Sequence, residues 1–204
     1  PSRPLSTPEP ISLKPERALS IRRNEARKRM PMELYQLFAQ ILGYPTPSLP
    51  HQINECISLL TSVKREAVPM LDEFRALLEV TPLDRMEEVY TRTFDLQAIC
   101  QPYVGCQLFG NGSQRGMFMA GLKEHYETCE FSTGNELPDH LSTMLRFAPN
   151  CAKAEREELI SECLVPAVKK MVSGFEDGGN PYRGVLQALL LVLQTESEGF
   201  HDGR

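Results

Sequence analysis

The stretch ISECLVPAVKKMV (residues 160–172) repeats apolar side chains at intervals of three and four residues. The apolar positions are Ile160, Cys163, Leu164, Ala167, Val168, Met171 and Val172. This spacing places them on one face of an α-helix and is typical of a helix packed against a hydrophobic core. Pro166 lies inside the pattern and predicts a kink, because proline has no N–H to donate to the preceding turn.

The same helical spacing recurs along most of the chain. The further apolar stripes are Leu34/Leu37/Phe38/Ile41/Leu42, Ile53/Cys56/Ile57/Leu60, Met70/Phe74/Leu77, Leu83/Met86/Tyr90/Phe94, Met119/Leu122/Tyr126, Leu141/Met144/Leu145/Ala148 and Leu186/Leu189/Leu190/Leu193. No segment alternates apolar and polar residues with the period of a β-strand. The sequence therefore predicts an all-α fold, a single globular domain of seven to eight helices over residues 25–198, with residues 95–112 as a long irregular connection.

The amino-terminal segment differs in composition from the rest of the chain. Residues 1–24 contain five prolines and little periodic apolar content, which predicts an extended or flexible basic arm. Residues 1–30 carry a net charge of +5, and residues 31–204 carry −10. An acidic body argues against nucleic-acid binding and is compatible with a basic peptide partner or simply with solubility.

Several classes of protein are disfavoured by the composition. No apolar run approaches the roughly 20 residues of a membrane span. A twin arginine occurs in IRRN (21–24), but no apolar run or small-residue cleavage site follows it, so we expect a cytoplasmic protein. The six cysteines include no C-x-x-C pair, and five residues separate Cys100 from Cys106, so we expect reduced thiols and no metal site.

The stretch ELPDHL (136–141) offers acidic and imidazole side chains just before an apolar helix. Asp139 suits the N-cap of that helix, which would place His140 in the first turn. There the helix dipole disfavours the imidazolium, so we expect a neutral His140. Neither a G-x-S-x-G nor an H-E-x-x-H motif is present, and the sequence predicts no catalytic residue.

Two other stretches could bind a ligand. GNGSQRG (110–116) is a glycine-rich turn that opens a helix, and a nucleotide-binding or hydrolytic protein using this turn is the alternative function. The more conservative interpretation is a turn with Ser113 as N-cap and Arg115 available to an anion or an acidic residue. In residues 87–105, Tyr90 and Phe94 lie one helical turn apart, which is typical of a core or of the wall of a peptide groove.

Four motifs, taken in order, resemble a known family. They are LYQLFAQILGYP (34–45), YTRTFDL (90–96), QPYVG (101–105) and ELPDHLSTMLRF (136–147). Together they resemble the TorD/DmsD/NarJ superfamily of molybdoenzyme maturation chaperones, and most of all the NarJ-like nitrate reductase assembly chaperones. The resemblance covers about residues 30–195.

This resemblance implies an all-helical chaperone without catalytic activity, and we expect no cofactor or metal. It would bind the N-terminal segment of a molybdenum-containing catalytic subunit until cofactor is inserted, and so delay export or membrane docking. The implied partners also include the molybdenum cofactor delivery machinery, and the implied assembly is a monomer or a dimer. The implied peptide-binding residues are Tyr90, Phe94, Pro102, Tyr103, Arg115, Glu136, Asp139 and His140.

Overall fold

The computed structural model describes residues 30–95, 100–175 and 179–201, and these residues form nine α-helices and no strand. The helices are α1 (Met32–Ile41), α2 (Leu49–Val63), α3 (Val68–Val80), α4 (Leu83–Phe94), α5 (Val104–Phe109), α6 (Ser113–Thr128), α7 (Leu141–Phe147), α8 (Lys153–Glu158, continued by Leu159–Leu164 and Val165–Ser173) and α9 (Pro181–His201). The prediction of an all-α domain is confirmed. The predicted arm at residues 1–24 lies outside the described residues.

The stretch predicted as an irregular connection, 95–112, contains the short helix α5. That part of the prediction was wrong. A helix of six residues shows less than two turns of apolar periodicity, which is too little to distinguish it from a loop. Residues 96–99 within this stretch lie outside the described residues.

Helix α8 differs from its prediction in two ways. It begins at Lys153 rather than near 160, and its polar first turns lack the apolar stripe used to find it. The residues before Pro166 form a π-helical turn, Leu159–Leu164. Since Pro166 cannot donate a hydrogen bond to the carbonyl of Glu162, the regular α-helical ladder is interrupted at this point.

Helix α9 packs along α3 and α8, while α1 packs on α2 and α7. A Cβ atom added to Gly184 would lie 3.0 Å from the carbonyl oxygen of Met70, so glycine permits this close approach of α9 to α3. Beside it, the ring of Tyr182 contacts the rings of Phe74, Tyr90 and Phe94, with centroids 5.0–5.8 Å apart. This aromatic cluster joins α3, α4 and α9 beneath the site described below. No helix in the described ranges combines the length and the apolar content needed to cross a membrane.

Candidate functional site

A buried ion pair joins the two segments that the sequence singled out for polar chemistry. Nε of Arg115, in α6, donates to Oδ2 of Asp139 at 2.7 Å, and the guanidinium also donates to Oδ1 at 3.3 Å. The Asp139 side chain is fully buried, and that of Arg115 is 15% exposed. A third donor of the guanidinium reaches Oδ1 of Asn111 at 2.9 Å. A bidentate pair of this kind fixes the loop before α7 against α6.

Gly105, in α5, lies against this ion pair. A Cβ atom at this position would stand 2.7 Å from Oδ2 of Asp139, 2.9 Å from the ring of Phe118 and 3.1 Å from Cγ of Arg115. Real Cβ atoms do not approach other atoms so closely, so a side chain here would displace one of the partners. The glycine of QPYVG is therefore required by the Arg115–Asp139 pair, a role that the sequence did not reveal.

The predicted N-cap of α7 was wrong by one residue. The cap is His140, whose Nδ1 accepts a hydrogen bond from the backbone N–H of Ser142 at 3.2 Å. Asp139 is unavailable as a cap because its carboxylate faces Arg115. The structure supports the expected neutral His140 for a physical reason other than the helix dipole. Burial lowers the pKa of His140 and outweighs the negative charges of Glu136, Asp139 and Asp95, which raise it.

Tyr103 and His140 bring the motifs QPYVG and ELPDHL side by side. The two residues form an isolated antiparallel bridge. The N–H of Leu141 donates to the carbonyl of Pro102 at 2.8 Å, and the N–H of Val104 donates to the carbonyl of Asp139 at 2.7 Å. The rings of Tyr103 and His140 are in edge contact, with centroids 5.6 Å apart, and the Arg115 guanidinium lies 4.9 Å from the centre of the Tyr103 ring.

Tyr90 and Phe94 lie in the core, with 6% and 4% of their surface exposed. Neither ring offers much area to a ligand. The ring of Tyr90 instead supports Tyr44, with centroids 5.5 Å apart, and Tyr44 is 54% exposed. The exposed aromatic side chain of this region is therefore Tyr44, at the end of the first motif, which was not among the predicted site residues.

Several carboxylates lie near the half-buried ring of Tyr103. Burial raises the pKa of Tyr103, and the negative charges of Glu136 and Asp95 raise it further. Glu136 and Asp95 are both exposed. The charge of Asp95 also raises the pKa of Tyr44, so the same carboxylate lies near both tyrosines. We call the group of Tyr44, Asp95, Tyr103 and Glu136 the Tyr103 surface; it combines aromatic area with negative charge.

The buried, uncharged imidazole of His140 predicts a pH dependence of stability. Because the folded state lowers its pKa below the usual value near 6.5, the unfolded chain takes up a proton first as the pH falls. Stability that is present above pH ~6.5 is then lost as the pH falls towards the folded pKa. In His140→Asn, which retains an N-cap side chain but cannot titrate, we expect a smaller loss of unfolding free energy between pH 7 and pH 5. Urea unfolding at both pH values tests this, and an equal loss in both proteins would contradict it.

Comparison of the sequence with protein-family models identifies the family of this chain. Residues 61–186 match the family model described as the nitrate reductase delta subunit. This chain belongs to the nitrate reductase delta subunit family. The matched residues of this chain include both QPYVG (101–105) and ELPDHL (136–141), the two motifs that meet at the Tyr103 surface.

A solved structure of another protein shares the helical fold of this member of the nitrate reductase delta subunit family. A protein from Archaeoglobus fulgidus, assigned as a redox enzyme maturation protein, superimposes with a TM-score of 0.57 at 20% identity. The match covers 81% of this chain and 95% of that chain. No curated protein matches the sequence. The predicted superfamily of maturation chaperones is confirmed by the family match and the shared fold.

The glycine-rich turn 110–116 has a structural role in this family member. Gly112, not the predicted Ser113, is the N-cap of α6, and Gly110 adopts a positive φ of 70° that favours glycine. Arg115, the cation that a phosphate would need, is held by Asp139 and Asn111. In the described part of the chain, this turn therefore does not favour the alternative function as a nucleotide-binding or hydrolytic protein.

Proposed function

We propose that this chain is a non-enzymatic chaperone that binds the N-terminal segment of a molybdenum-containing oxidoreductase catalytic subunit at the Tyr103 surface. It holds that segment while cofactor is inserted and before export or membrane docking, in the cytoplasm. The observation that supports the proposal is the contact between Tyr103 and His140, which brings the motifs QPYVG and ELPDHL side by side. The exposed carboxylates of Asp95 and Glu136 lie near this contact. The helical domain 25–198 supplies this function, and the arm 1–24 is accessory to it.

Charge complementarity favours a basic client segment. Asp95 and Glu136 are exposed on the Tyr103 surface, and residues 31–204 carry a net charge of −10. Opposite charges accelerate encounter and select a partner, while aromatic side chains supply the apolar area that holds it. A Kd near 1 μM, about −8 kcal/mol, suits a client that must later be released.

The predicted site residues then divide into contacts and supports. Tyr103 and Glu136 contact the client, together with Tyr44 and Asp95. The buried residues act from behind this surface, and their roles differ. Tyr90 and Phe94 support the ring of Tyr44, Pro102 and His140 hold the two motifs together, and Arg115 and Asp139 fix the loop that carries them.

Binding of a synthetic peptide tests the proposal directly. The peptide comprises the N-terminal segment of the catalytic subunit of a molybdenum oxidoreductase, and calorimetry measures its affinity for the full chain. We expect Tyr103→Ala and Glu136→Lys each to weaken binding at least fivefold, about 1 kcal/mol, through lost aromatic area and reversed charge. A peptide with its Lys and Arg residues replaced by Glu should bind more weakly to the wild-type protein.

A matched control separates the Tyr103 surface from another apolar surface. Met117, in α6, is 69% exposed and lies in a groove against α8. We expect Met117→Ala to bind the peptide like the wild type. If Met117→Ala weakens binding while Tyr103→Ala and Glu136→Lys do not, the assigned surface is wrong; if the wild-type protein does not bind the peptide, the proposed client is wrong. Circular dichroism of each variant excludes loss of fold as the cause.

A further inference from the structure

A second cluster of reactive side chains lies at the groove between α6 and α8, apart from the Tyr103 surface. The groove has a volume of about 360 Å³ and is mostly apolar, with Met117, Phe118 and Leu122 from α6 facing Leu159 from α8. The donor atoms of His125, Cys151 and Glu155, which also line it, all lie within 4.8 Å of one another. We propose that these three residues bind a Zn²⁺ ion.

The three side chains come from separate parts of the fold. His125 lies near the carboxyl end of α6, Cys151 follows the 3₁₀ turn Ala148–Asn150, and Glu155 lies in the first turn of α8. Nε2 of His125 is 3.9 Å from Oε2 of Glu155. That separation is too long for a hydrogen bond. Two ligands of a tetrahedral zinc ion, each about 2.0–2.2 Å from the metal, stand roughly 3.4 Å apart, so this pair would contract by about 0.5 Å. The three donor atoms, which lie within 4.8 Å of one another, would all have to draw closer on binding.

Neighbouring groups orient two of the ligands. Oε2 of Glu155 accepts a hydrogen bond from the backbone N–H of Ala152 at 3.0 Å, which holds the carboxylate at the start of α8. A carboxylate retains further lone pairs for a metal when it accepts one such bond. The His125 ring packs edge-on against Phe147, with centroids 5.4 Å apart. Such outer contacts preset the geometry of metal ligands and reduce the entropy lost on binding.

The set of donor atoms selects the metal. One imidazole nitrogen, one sulfur and one carboxylate oxygen are the ligand types that zinc accepts, whereas Mg²⁺ and Ca²⁺ prefer oxygen alone. Three protein ligands leave the fourth tetrahedral position to water. Burial, assisted by the negative charge of Glu155, raises the pKa of Cys151 to about 12. The ion therefore has to displace the thiol proton into solvent, which lowers the affinity but makes binding visible through proton release.

A bound ion would connect the two walls of the groove. Its ligands lie on α6 and at the start of α8, so binding to the folded state alone would stabilise the protein. The ion would also restrain the width of the groove. This inference concerns a site distinct from the Tyr103 surface and does not depend on the proposed client.

Metal titration of the full chain tests the proposal after treatment with a chelator and its removal. We expect one Zn²⁺ per chain by calorimetry and a rise in Tm with zinc. Co²⁺ used in place of zinc should give visible d–d bands of a tetrahedral site and a thiolate-to-cobalt charge-transfer band. His125→Ala and Cys151→Ser should each weaken zinc binding at least tenfold, and Cys151→Ser should abolish the charge-transfer band.

Matched controls use residues of the same types outside the cluster. Cys163, half-buried in the same groove, and His51, exposed on α2, are changed in Cys163→Ser and His51→Ala. Both should bind zinc like the wild type. The proposal is overturned if the wild-type chain binds no stoichiometric zinc, or if His125→Ala and Cys151→Ser, shown to be folded by circular dichroism, retain wild-type affinity.

Discussion

Arg115→Ala should reduce the free energy of unfolding by about 3–5 kcal/mol, because it leaves the carboxylate of Asp139 buried without its partner. The lost bonds are the two donations from the guanidinium at 2.7 and 3.3 Å. An unpaired buried charge costs far more than the net contribution of a paired one. Urea unfolding followed by circular dichroism at pH 7 measures the difference.

Two further variants identify the origin of that loss. Arg75→Ala removes an ion pair with Asp72 in which both side chains are about 40% exposed, and it should change stability by less than about 1 kcal/mol. Adding Asp139→Asn to Arg115→Ala removes the buried charge and should restore part of the stability. A loss in Arg115→Ala no larger than that in Arg75→Ala would refute the role of the buried pair.

Gly105→Ala should destabilise the protein by roughly 2 kcal/mol or more, although alanine is the better helix former. The new Cβ would meet Oδ2 of Asp139 at 2.7 Å and the Phe118 ring at 2.9 Å. Overpacking of this kind costs typically about 1–3 kcal/mol, and displacement of Asp139 adds the weakening of its pair with Arg115. The helix-propensity gain of at most ~1 kcal/mol does not offset these costs.

A second glycine in a neighbouring helix provides the control. Gly121 lies in α6 with nothing within 4 Å of an added Cβ. Gly121→Ala should therefore leave stability unchanged or raise it by up to about 1 kcal/mol. Thermal and urea unfolding measure the stability of both variants. Equal stability of the two would disprove the close contact at Gly105. Since Gly105 supports the Tyr103 surface, peptide affinity in Gly105→Ala should fall as well.

Most of the fold could be predicted from local patterns. Eight of the helices in the described residues carry apolar stripes that were recognised in the sequence, because a helix buried on one face repeats its apolar residues along the chain. The exceptions are informative. Helix α5 is too short to show a period, and the polar start of α8 before Leu159 has no stripe to recognise.

The candidate site was predicted less completely. The motifs containing Tyr103 and His140 were identified, but the N-cap was assigned to Asp139 rather than His140. An aspartate before a helix is usually its cap; here Arg115, 24 residues away, competes for the carboxylate. Tyr44 and Asp95 were missed because Asp95 lies near both Tyr44 and Tyr103 only through helix packing, and no sequence spacing reveals this.

The sequence by itself determined the helical class, the acidic body and the family motifs, since each depends on residue types and on spacings within one helix or turn. Only the tertiary structure decided which distant side chains meet. Asp139 joins Arg115, Gly105 leaves room for that pair, and His125 approaches Cys151 and Glu155. These contacts depend on how helices pack through space, and a pattern that repeats along one helix carries no information about the side chain it faces on another.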